Sequence, residues 1–144
     1  MKNLLFIALL GLSHTLLGQD WCAEYPSALL QAKEESKPII LVFSGSDWCA
    51  PCIKLEHEIW TSEEFKKYAS EHFVLYRADF PRKKTNQLSE TVGGQNRKLA
   101  DKFNPKGYFP LVVVLDQDEE TLGTSGYENL SPNAYIELLN SFLK

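Results

Sequence analysis

The stretch IILVF, Ile39 to Phe43, is apolar at every position and rich in β-branched side chains. A strand patterned this way is covered on both faces, so it predicts a central strand in a sheet flanked by helices. Upstream, Ala28 to Lys37 sets Leu29, Leu30 and Ala32 among charges, a short amphipathic helix that Pro38 ends. Downstream, Ser44 to Trp48 reads as a loop, after which Cys52, Leu55 and Ile59 fall on one helical stripe while Lys54, His57 and Glu58 lie off it. Thr61 with Glu64 fits a capping box for a further helix to about Glu71, and FVLYRADF from Phe73 reads as a second strand. A long polar link, PRKKTNQLSETVGGQ, leads to a helix with Leu99, Ala100 and Phe103 on its apolar face. LVVVLD, Leu111 to Asp116, is a third strand, Gln117 to Glu119 a turn, and TLGTSGY an edge strand. The last helix is capped by Ser131, carries Pro132 at its first position and buries Tyr135, Ile136, Leu138, Leu139 and Phe142. Strands alternating with helices, closed by a hairpin and a helix, predict an α/β three-layer sandwich around a central mixed β-sheet.

The first residues belong to a different pattern. Lys2, an apolar run from Leu4 to Leu12, and small and polar residues to Gly18 have the three-part layout of a secretory signal peptide. The run is shorter than the roughly 20 residues of a membrane-spanning helix. We therefore expect residues 1–18 to be a leader, cleaved after Gly18 or Gln19, and residues 19–144 to be one exported domain, periplasmic or secreted. The chain carries 19 acidic against 15 basic residues, and losing Lys2 makes it more acidic, which argues against a nucleic-acid surface. Arg82, Lys83 and Lys84 run against that balance, and their plain reading is a solvated loop. Export permits disulfides, yet three cysteines are too few and too unevenly spaced for a disulfide scaffold. Asp20 and Trp21 precede Cys22 where a lipidation site has small residues, which disfavours acylation; of a free thiol and a partner-linking cysteine, the free thiol is the expected reading of Cys22.

Cys49 and Cys52 need their own account. At a helix N-terminus, unpaired backbone N–H groups and the macrodipole favour a thiolate over a thiol, and Cys49 holds that position. Cys52 lies one turn further in, on the buried stripe. Cys49 is thus expected to be the exposed nucleophile and Cys52 the resolving thiol. Pro51 costs no hydrogen bond in the first turn and stiffens it. A staple closing so short a loop restrains the unfolded chain little. Structural zinc wants four ligands, and only His57 and His72 follow the leader, although a copper site on the two cysteines and one histidine stays open. Redox exchange is the favoured chemistry.

WCAPC after a buried strand, together with GYFP before the next core strand, resembles the thioredoxin superfamily from about Tyr25 to Lys144. SGSDWCAPCIKLEHEIW, RADFPRK and KGYFPLVVVLD are most similar to exported bacterial thioredoxin-like proteins and to the thioredoxin-like domain of DsbD-type thiol:disulfide interchange proteins. The resemblance implies a thioredoxin fold and a Cys49/Cys52 pair that exchanges electrons with disulfide-bearing client proteins, with no bound cofactor. It implies that Pro110 is cis and that the backbone of Phe109 pairs with an extended client, beside Trp48. Many thioredoxins carry a buried aspartate where this chain has Phe43; Glu56, one turn after Cys52, is then the candidate to move its proton, and DsbD-type domains are similar in having an acid at that spacing. Ala50-Pro51 resembles the Gly-Pro of reducing thioredoxins, which implies a reductase, acting as a monomer and recharged by a membrane thiol donor. Readings from other classes are a copper or zinc handling module on the same cysteines and a non-catalytic interaction domain.

Overall fold

In the computed structural model, which describes residues 20–144, Ile39–Phe43 does lie in the middle of a sheet. The expected leader, residues 1–18, and both candidate cleavage positions lie outside the described residues. The elements are β1 (Trp21–Cys22), α1 (Tyr25–Glu35), β2 (Ile39–Ser44), α2 (Ala50–Leu55) and α3 (Glu63–His72). Then come β3 (Val74–Asp79), α4 (Glu90–Phe103), β4 (Leu111–Leu115), β5 (Thr121–Ser125) and α5 (Pro132–Ser141). The sheet order is β1-β3-β2-β4-β5, with β2 parallel to β3 and antiparallel to β4, so the sheet is mixed as expected.

The twofold alternation of β2 builds both cores. Ile40 and Val42 pack with Leu55, Ile59, Trp60 and Phe65 on one face, while Ile39, Leu41 and Phe43 pack with Tyr25, Ala28, Ala32 and Leu99 on the other. All of β2 is buried, which is why no polar position interrupts it. On the first face Trp60 is ringed by Trp21, Phe65 and Tyr135 at centroid distances of 5.9, 4.6 and 5.6 Å. On the second face a polar clasp ties α4 to β3: the Tyr76 hydroxyl donates to the Asn96 side-chain oxygen at 2.7 Å, and Asn96 Nδ2 donates to the Asp79 carbonyl at 3.0 Å.

Several boundaries depart from the sequence expectation. α1 starts at Tyr25 rather than Ala28, because Pro26 can open a helix at no cost in hydrogen bonds. β1 was not foreseen; its two residues carry no periodic signal and exist by pairing with Leu75 and Tyr76 of β3. α2 runs into a π-helical turn, Glu56–Trp60, which shifts the next start by one residue. Ser62, not Thr61, therefore caps α3 by accepting the Phe65 N–H at 3.2 Å, and the Thr61 hydroxyl donates back to the His57 carbonyl at 3.1 Å. The polar link is shorter than expected. Ser89 caps α4 from Glu90 onward, and Gly93 and Gly94 sit inside that helix.

Candidate active site

Cys49 and Cys52 form a disulfide at the junction of β2 and α2, with Cα atoms 5.2 Å apart. Cys49 is the N-cap of α2, and its Sγ accepts the backbone N–H of Cys52 at 3.3 Å. A donor aimed at that sulfur is what a thiolate needs once the disulfide is opened. Contrary to the expected division into exposed and buried thiols, both cysteines are 4% exposed. The bond draws the Cys49 sulfur onto the first turn of the helix, leaving Ala50 and Pro51 as the exposed part of the motif.

The loop before the disulfide is fixed from both sides. Cys49 N–H donates to the Gly45 carbonyl at 2.9 Å. A Cβ on Gly45 would stand 2.3 Å from the Trp48 ring, so glycine is what lets the indole fold over this loop. Trp48 Nε1 donates to the Phe80 carbonyl at 2.8 Å, and Ser46 donates through N–H and hydroxyl to the Asp79 carboxylate at 2.9 and 2.5 Å. The Asp47 carboxylate accepts the backbone N–H groups of Arg82 and Lys83 at 2.9 Å each and Asn86 Nδ2 at 3.0 Å. The Arg82 N–H, with help from Asn86 and Lys83, holds the Asp47 carboxyl below the usual carboxylate range.

The opposite wall comes from the loop before β4. Phe43 pairs with Leu111, so the chain just before Leu111 reaches the end of β2 where the cysteine loop begins. The Phe109–Pro110 peptide bond is cis. The Phe109 ring lies 5.4 Å from that of Trp48 and 5.6 Å from that of Phe80, both edge-on. Asn104, 4% exposed, clasps this loop by accepting the Tyr108 N–H at 2.9 Å and donating to the Tyr108 carbonyl at 2.8 Å.

Behind the disulfide, a cavity of about 130 Å³ is lined by Cys52, Glu56, His57, Ser44 and Arg77. Glu56 opens onto it but is not alone: Arg77 from β3 pairs with its carboxylate and rests over the Trp21 ring, 4.5 Å from the centroid. Glu56 is 35% exposed at its side chain. Phe43 is fully buried on the other face of β2, so it presents no acid to the pair.

Cys22 stands apart. It is a free thiol in β1 that donates to Gln31 Oε1 at 3.5 Å and lines a cavity of about 340 Å³ with Glu35, Lys37 and Phe73. Burial, with the charges of Glu35 and Asp20, pushes its pKa up.

The structure thus brings Trp48, Cys49, Cys52, Phe109 and Pro110 to one end of the sheet, with Glu56 behind Cys52. Sequence reasoning missed Asp47, Asp79, Arg77 and Asn104. Asn104 precedes Pro105 and Asp47 sits in a strand-to-helix loop, which are turn signals, whereas Arg77 on β3 gave none. Among the described residues no group of three or more His, Cys, Asp or Glu stands close enough to hold a metal ion, and no helix is long and apolar enough to cross a membrane.

The model of a thioredoxin-like family matches residues 20–117. The disulfide bond reductase DsbH of Chlamydia pneumoniae is 38% identical over 120 residues, spanning 83% of this chain and 70% of that protein. The solved structure of a DsbH oxidoreductase superposes with a TM-score of 0.81 at 35% identity, over 88% of this chain and 85% of that one. The oxidised C-terminal domain of DsbD from Neisseria meningitidis superposes at 0.54 with 19% identity, over 81% of this chain and 90% of that one, a likeness of fold alone. With the family model, these relatives and a CXXC disulfide at the start of α2, the chain belongs to the thioredoxin-like family, has the thioredoxin fold and is a thiol:disulfide oxidoreductase.

Proposed function

We propose that the protein is an exported disulfide bond reductase that reduces client proteins in the periplasm through Cys49 and Cys52. The observation that carries the reading is the redox pair at the head of α2, one sulfur aimed at by the Cys52 N–H, on a chain similar to a disulfide bond reductase. In the dithiol form the Cys49 thiolate attacks one sulfur of a client cystine. The client's S–S bond breaks, a mixed disulfide forms, and the departing client thiolate takes a proton. Cys52, deprotonated, then attacks the Cys49 sulfur, the mixed disulfide breaks, and the second client thiolate is released and protonated. The client gains two electrons and two protons, and the Cys49–Cys52 bond seen here is the spent form.

Within this cycle Glu56 accepts the Cys52 proton across the shared cavity, a role supported by its place there and by the lack of an acid at Phe43. Trp48 and the Phe109–Pro110 segment form the client-facing wall. The spent disulfide must be reduced by a dithiol, and in an oxidising compartment that donor is a membrane-embedded thiol carrier fed from the cytosol.

The test is the equilibrium reduction potential of residues 19–144 against defined thiol–disulfide buffers, read by tryptophan fluorescence and alkylation gel shift. A value between about −270 and −230 mV supports the reductase; a value near about −120 mV marks an oxidant and overturns it.

A further inference from the structure

Arg82, Lys83 and Lys84 are exposed, as expected of a solvated loop, and they lie on the loop that follows β3. The Arg82 guanidinium lies 3.8 Å from the centroid of the ring of Trp48, the residue that precedes Cys49. The three-way grip of Asp47 on the backbone of Arg82 and Lys83 and on Asn86 fixes the loop that presents them. All three side chains are exposed, and none forms an ion pair among the described residues. The nearby acids are otherwise engaged. Asp47 spends its oxygens on backbone N–H groups, Asp79 on Ser46, and Glu56 on Arg77, while Glu90 pairs with Arg97. Asp47 and Asp79 have only neutral donors and so keep their charge, yet the three cations still outnumber them on this rim, on a chain whose formal net charge is −4. On the loop whose Phe109 ring meets Trp48, Tyr108 is 58% exposed and Lys106 is exposed.

We propose that this rim is a client-selecting surface: Arg82, Lys83 and Lys84 dock the acidic residues that flank a client's cystine, while Trp48, Phe109 and Tyr108 cover its apolar part. The inference rests on the reductase reading and names the class of client. A rigid, unpaired basic patch beside the nucleophile raises the encounter rate and affinity for acidic segments, and the remaining acidic surface turns such segments away elsewhere.

Binding is tested without turnover on the Cys49→Ser/Cys52→Ser double variant. Two cystine-bridged peptides of one length are titrated by calorimetry, one with Asp and Glu beside the bridge and one with Asn and Gln there. The acidic peptide is expected to bind roughly tenfold tighter at low ionic strength, the low end of electrostatic steering, and the ratio to fall towards unity in about 1 M salt. Adding Lys83→Gln and Lys84→Gln is expected to bring the ratio below about twofold, whereas Lys66→Gln with Lys67→Gln on α3 is expected to leave it near tenfold. Equal affinity for the two peptides overturns the proposal, as does a ratio that survives Lys83→Gln/Lys84→Gln. Binding to phosphatidylglycerol vesicles that depends on these lysines and exceeds binding to the acidic peptide overturns it in favour of a lipid surface. Reduction of both peptides by the cysteine-intact dithiol form is followed separately. If neither is reduced while the acidic one binds selectively, the surface stands and the reductase reading falls.

Discussion

Two ends of the sheet each hold a cysteine against a tryptophan and a cavity, and only one of them is equipped for exchange. At the β2–α2 junction Cys49 heads a helix and its sulfur receives an N–H. At the β1 edge Cys22 sits in an extended strand, near Glu35 and Asp20, beside the larger cavity. Cavity size thus points to the wrong cysteine. Reactivity follows the charge and the donors around the sulfur, and these favour a thiolate at Cys49 and a thiol at Cys22. The two ends meet at Arg77, which pairs with Glu56 behind Cys52 and lies over Trp21, next in sequence to Cys22.

The sharpest way to break this contrast is to exchange the sulfurs. Cys49→Ser is expected to lower single-turnover reduction of a disulfide peptide by on the order of 10³-fold or more, because the attacking thiolate is gone. Cys22→Ser is expected to leave the same rate within about twofold, as for a group outside the reacting set. A large loss in the second variant would merge the two ends into one machine.

Next in size is alkylation of the fully reduced protein. Near neutral pH, Cys49 is expected to react with iodoacetamide at least about tenfold faster than Cys22, as read by peptide mass spectrometry. Because the Cys22 pKa lies above the ordinary 9.0, its rate should still be rising, not levelling off, as pH passes that value. Equal rates would remove the electrostatic distinction.

A smaller effect is expected from Glu56→Gln. Loss of the carboxylate should slow the second step, attack of Cys52 on the mixed disulfide, by roughly tenfold and flatten its pH profile. With its side chain 35% exposed, Glu56 has competition from solvent, which sets this below the usual range of acid–base catalysis. An unchanged profile would make it an ordinary surface glutamate paired with Arg77.

The smallest effect separates the loops themselves. The Asp47 carboxyl is held below its ordinary 3.8 by the Arg82 N–H first, so its contribution to stability is present above that value and fades as pH falls through the folded pKa. Asp47→Ala should therefore lose part of the fall in Tm between about pH 5 and pH 2. Glu35, lowered by its contact with Lys37 first and by Gln31 at the Cys22 end, should show less in Glu35→Gln, since two side chains hold it in place of backbone donors. If Glu35→Gln matched Asp47→Ala, the active-site loop would be no better anchored than the edge.

Much of this molecule is written locally. The apolar run Ile39–Phe43 can be buried on both faces only in a central strand, and Ser131-Pro132 opens α5 where the pattern places it. Cys49 at a helix start follows from the change of period beyond Trp48, and the disulfide partner from the spacing. What failed locally failed for identifiable reasons. The π-helical turn at Glu56–Trp60 breaks the 3.6-residue period and moved the cap from Thr61 to Ser62. β1 is too short to carry a period at all.

The sequence by itself therefore determined the order of strands and helices, the strand-to-helix switch and the place of the two cysteines at the head of a helix, since each depends on neighbours within a few residues along the chain. Only the tertiary structure decided that Arg77 holds Glu56, that Asp47 fixes the basic loop beside Trp48, and that both cysteines are covered in the disulfide. Those contacts join segments brought together by the register of β3 and β4 on β2. Each joins residues far apart in sequence, which no local periodicity encodes.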